Sequence, residues 1–354
     1  MPDSSNADRQ QSKPFWAKVW GVVRRIGMLR RIGVPHLKVC LLHYLTGRPV
    51  ILFDRTAGIG DIICTFPAII AFRKQHPEAL LVYRVRRSFK VLVEMGRVAD
   101  SIIDDDNSLS KSLIRNYKWI LRPRLEDEKP QGRAHTHLVD DFSQTLGVIP
   151  ASRQPRLYVS AKVSELQNRL VFPLRKDKQL VIGIHVGPSW RVREWTASGW
   201  QRLVELLHEQ FNCVVLQLGS DEHTAAGTQM APRIAGSLDW VNKFTLEQTI
   251  ATLQLLDLFI GIDSGILHAA GAVGTPVVGL FGPINPRLRL PPENPAVAVT
   301  SSVPCLGCHH RLPVLHWFDN CPHSIACMRN ITPEAVLDSI SQLLAVVKQE
   351  NKAV

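Results

Sequence analysis

The sequence VILFDRTAGIGD, residues 50–61, opens the first recognisable structural unit of this chain. Val50 to Phe53 form an uninterrupted apolar run of the kind that favours a buried strand. Gly58 and Gly60 follow, and a largely apolar segment then runs from Ile62 to Phe72. A strand, a glycine turn and a helix in this order begin a βαβ unit, which predicts a parallel sheet.

The same alternation continues along the chain in two blocks. Further strands are predicted at 80–83, 101–104 and 117–121 in the first block, and at 180–185, 213–218, 258–262 and 277–281 in the second. Helices are predicted at 90–95, 137–146, 163–170, 196–209, 245–255, 266–273 and 333–348. Residues 150–176 connect the blocks. We therefore predict an α/β fold with two parallel sheets that carry helices on both faces.

Composition narrows the class of protein. The chain has 354 residues, 45% of them apolar, which suits two domains of roughly 150 residues. Its net charge of +11 indicates an anionic partner: nucleic acid, a membrane surface or a phosphorylated substrate. The sequence lacks a long apolar run and a secretory signal, so we expect a cytoplasmic protein whose seven cysteines are mostly reduced.

The N-terminal arm concentrates the positive charge. No Asp or Glu occurs between Arg9 and Phe53, whereas nine basic residues do: Arg9, Lys13, Lys18, Arg24, Arg25, Arg30, Arg31, Lys38 and Arg48. Apolar residues from Phe15 to Leu29, including two tryptophans, recur at helical spacing. This pattern predicts an amphipathic helix that lies on an anionic leaflet. The alternative is a helix that packs on the first domain and exposes a solvated basic face.

Three loops at predicted strand ends carry the chemistry, because ligands of open parallel sheets bind at that edge. In the first loop, Gly58 and Gly60 would let the backbone approach a ligand, and Asp61 starts the following helix. Asp61 could cap that helix or take a proton from a hydroxyl. The glycines do not form a GxGxxG motif, so a dinucleotide site is not predicted.

The second and third loops both favour anions. Ser189, Arg191 and Arg193 in the second loop are donors that suit phosphate, although a basic surface loop would look the same. The third loop, 263–276, places Asp-Ser-Gly at a strand end and follows it with a helix of small residues. The start of such a helix binds anions through its N–H groups and dipole. His268 lies in its first turn and can face the same pocket.

Together, and in this order, the loops resemble those of glycosyltransferase family 9, the lipopolysaccharide heptosyltransferases. Residues 55–67 look like the family's N-terminal Gly-Asp…Thr…Pro motif, 72–77 like the following helix end, and 263–282 like its most specific signature. The resemblance covers about residues 48–345. It implies a GT-B fold, in which two Rossmann-like domains with parallel sheets face each other across a cleft.

The implied domains are a basic arm (1–47), an acceptor-binding domain (48–165), a nucleotide-sugar domain (166–330) and a C-terminal helix (331–354). The implied reaction is inverting, metal-independent transfer of a heptose or similar sugar, with ADP-heptose as the expected donor and no cofactor. The acceptor would be an anionic glycolipid, such as lipopolysaccharide core, at the inner leaflet of the cytoplasmic membrane. The enzyme would therefore be cytoplasmic and peripherally attached to that membrane.

Residue roles carry over from the same resemblance. Asp61 would be the general base on the acceptor hydroxyl. Arg193 stands where the family usually has a phosphate-binding lysine, and Glu222 where it has a carboxylate for the nucleotide ribose. The residues expected to hold the donor are Ser189, Arg193, Glu222, Asp263, Ser264, Gly265 and His268.

Two questions stay open at this level. Cys305, Cys308, Cys321 and Cys327 have spacing that would suit structural zinc, but reduced or disulfide-forming cysteines in a loop that braces the cleft would also explain them. A GT-B protein could also bind a nucleotide sugar or saccharide without transferring it. A nucleic-acid-binding protein is suggested by charge alone; we expect no specific nucleic acid, because no recognition module is present.

Overall fold

Two parallel β-sheets organise the computed structural model, which describes residues 34–105, 119–123, 135–187, 190–221, 223–224, 227–228, 230–310 and 321–353. The first sheet has strand order β3-β2-β1-β4 and the second β12-β11-β10-β5-β6-β9. The first comprises β1 (Val50–Asp54), β2 (Leu80–Val85), β3 (Ser101–Asp104) and β4 (Trp119–Leu121). The second comprises β5 (Leu180–His185), β6 (Cys213–Gln217), β9 (Leu238–Asp239), β10 (Leu258–Ile262), β11 (Val277–Leu280) and β12 (Ala296–Val299), while β7 (His223–Thr224) and β8 (Gly227–Thr228) form a small hairpin.

Helices connect the strands as the alternation predicts. They are α1 (Val34–Thr46), α2 (Ile59–Cys64), α3 (Phe66–Gln75), α4 (Lys90–Gly96), α5 (Leu138–Thr145), α6 (Ala161–Val171), α7 (Ala197–Gln210), α8 (Leu246–Gln254), α9 (Gly265–Ala272), α10 (Pro286–Arg289), α11 (Ala326–Arg329) and α12 (Pro333–Ala353). Two predicted caps are confirmed: Thr196 accepts the Gly199 N–H, and Thr245 forms a capping box with Gln248. The predicted class, α/β with two Rossmann-like sheets in a GT-B arrangement, is confirmed.

The helix predicted from Ile62 to Phe72 was wrong in one respect, because the chain breaks it at Thr65. Pro67 in the first turn of α3 has no N–H to donate to the Ile63 carbonyl, so the helical ladder cannot continue. Thr65 instead donates its hydroxyl to the Ile62 carbonyl at 2.7 Å and lies 3.1 Å from the Tyr83 hydroxyl. The break leaves α2 as a short separate helix that carries Asp61.

The second sheet is covered on both faces. Along β5 and β10, Val181 and Phe259 point into one apolar cluster, whereas Ile182 and Ile260 point into the other. The first cluster also contains residues of β1, α2 and α3, so it joins the two halves of the molecule into one continuous core. The second contains α7 and α12. Burial on both faces explains why these strands read as continuous apolar runs.

The last part of the N-terminal arm is a helix that covers the first sheet. Val39 of α1 is buried against Leu52 of β1 and Ile103 of β3, and the buried His36 ring lies 3.3 Å from the Ser101 hydroxyl. This helix follows the segment to which the two interpretations of the arm apply, so its packing tests neither of them. The amphipathic helix predicted from 15 to 29 lies outside the described residues. No described helix is both long and apolar enough to cross a membrane.

The predicted connection between the two blocks contacts both of them. The Leu157 N–H donates to the Ala272 carbonyl of α9, and the Tyr158 N–H donates to the Met95 carbonyl of α4. Glu293 accepts hydrogen bonds from the Ser152 hydroxyl at 2.6 Å and the Arg153 N–H at 2.9 Å. These contacts hold the halves together on the side from which the chain crosses.

Candidate active site at the domain interface

Helices α2 and α9 bring the first and third predicted loops together. A Cβ atom on Gly60 of α2 would lie 2.6 Å from Cδ2 of His268, and one on Gly265 of α9 would lie 2.5 Å from Cβ of Ile59. Both distances are shorter than real side chains tolerate, so the two glycines permit the helices to touch. Gly60 was expected to make room for a ligand; in the structure it makes room for His268 of the other domain.

Asp61 stands at the third position of α2 rather than at its cap, which is Gly58. Its Oδ2 accepts the Gly58 N–H at 3.3 Å, and its Oδ1 lies 3.3 Å from Nη2 of Arg55. The side chain keeps 29% of its surface exposed. Asp61 therefore stabilises the helix start from its third position, so the capping interpretation was wrong about its place in the helix, and it still offers a carboxylate to a neighbouring molecule.

His268 lies in the first turn of α9, as predicted, and is buried. Its Nδ1 is 3.7 Å from Sγ of Cys64, and its Nε2 is 4.0 Å from Oδ1 of Asp263. Burial lowers the pKa of His268, against the opposing effect of Asp263 and Asp61. The imidazole is therefore neutral near pH 7, and its contact with Asp263 is not an ion pair there.

Arg193 and Asp263, both predicted donor-site residues, form a direct ion pair. Nη1 of Arg193 donates to Oδ2 of Asp263 at 2.9 Å, and both side chains are largely buried. The guanidinium carbon also lies 3.9 Å from the centroid of the Trp190 ring, which is a cation–π contact. Arg193 is thus fixed from two sides at the carboxyl end of β10.

Two residues of this site, Trp190 and His309, were not predicted from the sequence. Their rings stack, with centroids 5.2 Å apart and an interplanar angle of 11°. Burial and the charge of Arg193 lower the pKa of His309 to about 2, which keeps the ring neutral. The Trp190 ring therefore contacts both the His309 ring and the Arg193 guanidinium.

The loop that carries His309 is tied to the end of β11. The Gly307 N–H donates to the Gly282 carbonyl, and the His309 N–H donates to the Pro283 carbonyl, both at 2.9 Å. Arg289 in α10, the helix that follows β11, was also not predicted as a site residue. Its charge is close enough to lower the pKa of both His268 and His309. No periodic or motif signal marks Arg289, since only the fold brings it to the site.

Ser264 provides the most direct sign of an anion site. Its Oγ is buried and makes no hydrogen bond within the part of the chain that the structure describes. It precedes Gly265, the first residue of α9, and its side chain does not cap the helix. A buried hydroxyl beside the open N–H groups of a helix start suits a phosphate oxygen.

Two predicted site residues, Ser189 and Glu222, lie outside the described residues, so their roles stay predictions. The neighbouring Asp221 has a structural task. It pairs with Arg233 at 2.6 Å and accepts the Ala231 N–H at 3.0 Å. Arg233 lowers the pKa of Asp221 as a result.

Cys305, Cys308, Cys321 and Cys327 of the second domain lie near one another, and none of them forms a disulfide among the described residues. Burial, and then the proximity of Cys308, Cys305 and Cys321, raise the pKa of Cys327 to about 12. The place where a Cβ of Gly282 would stand is 2.8 Å from Sγ of Cys327, so this group packs beneath the loop of His309. Among the described side chains, no three His, Cys, Asp or Glu converge to hold a metal ion. The zinc hypothesis stays a prediction for elemental analysis.

Comparison with known proteins identifies the family. A sequence model of glycosyltransferase family 9 (heptosyltransferase) matches residues 119–316, which is more than half of the chain. Lipopolysaccharide heptosyltransferase 2 of Salmonella typhimurium is 25% identical over 212 residues, covering 56% of this chain and 58% of that protein. The chain spans less than two thirds of the length of the first curated relatives it matches.

Solved structures agree in fold. The family 9 glycosyltransferase of Veillonella parvula superposes with a TM-score of 0.66 at 17% identity, covering 84% of this chain and 98% of that one. The dodecameric iron-containing heptosyltransferase TibC from enterotoxigenic E. coli, in complex with ADP-D-beta-D-heptose, gives 0.66 at 22% identity and covers 84% and 76%. With a family match over more than half of its length, this chain belongs to glycosyltransferase family 9, the heptosyltransferase family.

Proposed function

We propose that this protein is an inverting, metal-independent glycosyltransferase that moves a heptose from ADP-heptose to an anionic lipid-linked saccharide of the lipopolysaccharide core type. One observation carries the proposal. Where α2 packs on α9, the partly exposed carboxylate of Asp61 lies on one side of the contact, and Arg193, the Ser264 hydroxyl and the start of α9, which would bind an anion, lie on the other. We also propose the division into an acceptor-binding part at 48–165 and a nucleotide-sugar part at 166–330.

The donor side of the proposal concerns the leaving group. The N–H groups at the start of α9 and the Ser264 hydroxyl would bind the diphosphate, and Arg193 would neutralise its growing charge. Asp263 is a carboxylate and would repel phosphate, so its proposed role is to orient Arg193 through their 2.9 Å ion pair. Because the chain supplies positive charge here, the reaction would need no divalent cation at this position.

The acceptor side concerns the nucleophile. As the acceptor oxygen attacks the anomeric carbon, its proton passes to Asp61 and the bond from the sugar to the diphosphate breaks. The electron pair of that bond leaves with ADP. One base and one direct displacement invert the anomeric carbon. ADP-heptose as donor is supported by the family and by the ligand that TibC binds in its structure.

The charge of the acceptor is suggested by the edge of the first sheet. Arg86 and Arg87 follow β2 and are exposed, and Arg122 follows β4 with 51% of its side chain exposed. These guanidinium groups follow the carboxyl ends of β2 and β4, which flank β1, the strand that precedes the helix of Asp61. Arginine binds phosphate and carboxylate well, so this edge suits an acidic or phosphorylated saccharide.

The test is transfer from ADP-heptose to a truncated lipopolysaccharide core, followed as ADP release. Asp61→Asn should lower acceptor-dependent release by at least about a hundredfold, because general-base catalysis contributes 10²–10⁴-fold. Asp140→Asn is a matched control. That carboxylate is also partly exposed and pairs with an arginine, Arg153, in the same domain. Full activity of Asp61→Asn would remove the base from the proposal. Binding of ADP-heptose without any transfer by wild type would favour a non-catalytic sugar-binding protein.

Membrane attachment is the second part of the proposal, and it is supported by the outer face of α1. His36 and Val39 are buried, whereas Leu41, Tyr44 and Leu45 on the outward face are 52%, 85% and 67% exposed. Three exposed apolar residues at helical spacing, directly behind a stretch of chain that has only basic charges, suit an anionic phospholipid surface.

Sedimentation with phosphatidylglycerol vesicles tests this attachment. Changing Leu41, Tyr44 and Leu45 to Ser should release the protein from the vesicles. The matched control is Leu166→Ser with Leu170→Ser, because these leucines on α6 are also exposed, at 46% and 43%. Unchanged binding of the α1 variant would show that this face does not contact the lipid.

A further inference from the structure

Arg55 is a buried cation directly behind the proposed base. It follows β1 and has only 7% of its surface exposed. Arginine stays protonated in proteins, so burying it is costly unless its charge and donors are satisfied. Its Nη1 donates to the Pro123 carbonyl at 3.2 Å, its Nη2 faces Asp61 at 3.3 Å, and its guanidinium lies 5.2 Å from the Phe142 ring centroid.

These contacts join three separate segments of the first domain. Pro123 follows β4, Phe142 belongs to α5, and Asp61 belongs to α2. Because α2 has only six residues, the helix alone does not fix the direction of the Asp61 side chain. The carboxylate is held instead by two contacts on opposite oxygens, the Gly58 N–H on Oδ2 and Arg55 on Oδ1.

We propose that Arg55 is a positioning residue for the sugar-transfer reaction: it fixes the direction of the Asp61 carboxylate. The inference rests on the proposed role of Asp61 as the base. A base must point at the acceptor hydroxyl when it takes the proton. With Arg55 on Oδ1 and the Gly58 N–H on Oδ2, the carboxylate is held in one orientation while the acceptor binds.

Two substitutions test this contact. Arg55→Gln removes the ion pair, so kcat should fall by about tenfold, since small misplacements of a catalytic group are costly. Arg55→Lys keeps a cationic donor but not the planar fork, so it should recover part of the lost rate. The KM for ADP-heptose should change less than twofold in both.

Arg84→Gln is the matched control. Arg84 of β2 is also largely buried and also pairs with a carboxylate, since its Nη1 lies 2.8 Å from Oδ1 of Asp54. Asp54 retains Arg122 as a second partner at 3.0 Å. Removing Arg84 therefore deletes an equivalent charge from the same sheet without releasing Asp61, and kcat should stay close to that of wild type. Thermal unfolding and ADP binding by calorimetry check that every variant is folded.

The outcomes separate this inference from the proposed function. A loss of kcat with unchanged KM in Arg55→Gln, with partial recovery in Arg55→Lys and an inactive Asp61→Asn, supports the role of Arg55. If Asp61→Asn is inactive but Arg55→Gln has the kcat of wild type, the Arg55 inference is wrong while the proposed base stands. If Asp61→Asn is active, both are overturned. An equal loss of kcat in Arg84→Gln would reduce the effect to general charge and also overturn the inference.

Discussion

Replacing Gly60 with Ala should damage catalysis more than stability, because one added methyl group would strike His268 across the domain interface. The new Cβ would lie 2.6 Å from Cδ2 of His268, whereas ordinary van der Waals contact begins near 3.4 Å. The missing separation is therefore about 0.8 Å. The His268 ring is buried and has Cys64 at 3.7 Å and Asp263 at 4.0 Å, so it cannot simply swing aside.

The expected magnitudes follow from that overlap. Overpacking a close interface costs about 1–3 kcal/mol. Alanine in a helix recovers up to about 1 kcal/mol relative to glycine, so the net loss of unfolding free energy should be about 0–2 kcal/mol. Catalysis should suffer more. If α2 and α9 separate by most of the overlap, Asp61 moves relative to the donor site by nearly 1 Å, and a displacement of that size can lower kcat about a hundredfold.

The assay compares Gly60→Ala with Gly58→Ala in ADP release, alongside urea unfolding of both proteins. Gly58 is the matched control because a Cβ there would meet only Oδ2 of Asp61, at 3.5 Å, which is an ordinary contact. Its φ of −72° also suits alanine. The Gly58 variant should keep kcat within about threefold of wild type, as its small conformational change warrants. Wild-type kcat in Gly60→Ala would refute the reasoning, because the functional state would then not have α2 packed on His268.

Two further outcomes are expected. Trp190→Leu removes the ring that contacts Arg193 and should raise the KM for ADP-heptose about two- to thirtyfold, the range of a cation–π contact. Steady-state kinetics measure this KM, and an equal rise in Trp119→Leu would contradict the prediction. Burial lowers the pKa of His137 to about 4, so its neutral form stabilises the fold above pH 6.5 and this stability is lost as pH falls toward 4. Between pH 7 and 5, wild type should lose up to about 2 kcal/mol more in urea unfolding than His137→Asn, which keeps a capping acceptor; equal losses in the two proteins would exclude His137 as the source.

Most of the fold could be predicted because its strands are buried on both faces. Strands such as β5 and β10 consist of apolar residues and glycine, apart from His185 at the end of β5, and the caps at Thr196 and Thr245 mark helix starts in the sequence itself. The edge strands of the second sheet were not predicted. The pair in β9 is exposed, and β12 is a half-buried run of only four residues. Both strands are too short to create a pattern.

The site was predictable only where its residues share a loop or a motif. Asp263, Ser264 and His268 follow one strand, so their proximity is implied by their order. Arg289 and His309 reach the site through the turns after β11, and the spacing of residues in the sequence does not predict those turns. The ion pair between Arg193 and Asp263 was also missed, because both residues were assigned separately to the donor.

The interface explains why α2 and α9 carry glycine where they meet. A glycine before Asp61 could make room for a ligand, permit a turn or make room for a neighbouring helix, and the sequence alone does not distinguish these uses. In the structure Gly60 lies against His268 and Gly265 against Ile59, so each glycine belongs to one domain and makes room for a side chain of the other. The proposed base and the proposed donor site are consequently positioned by the same contact. A substitution at either glycine should therefore alter how the two substrates are aligned before it alters the affinity for either one.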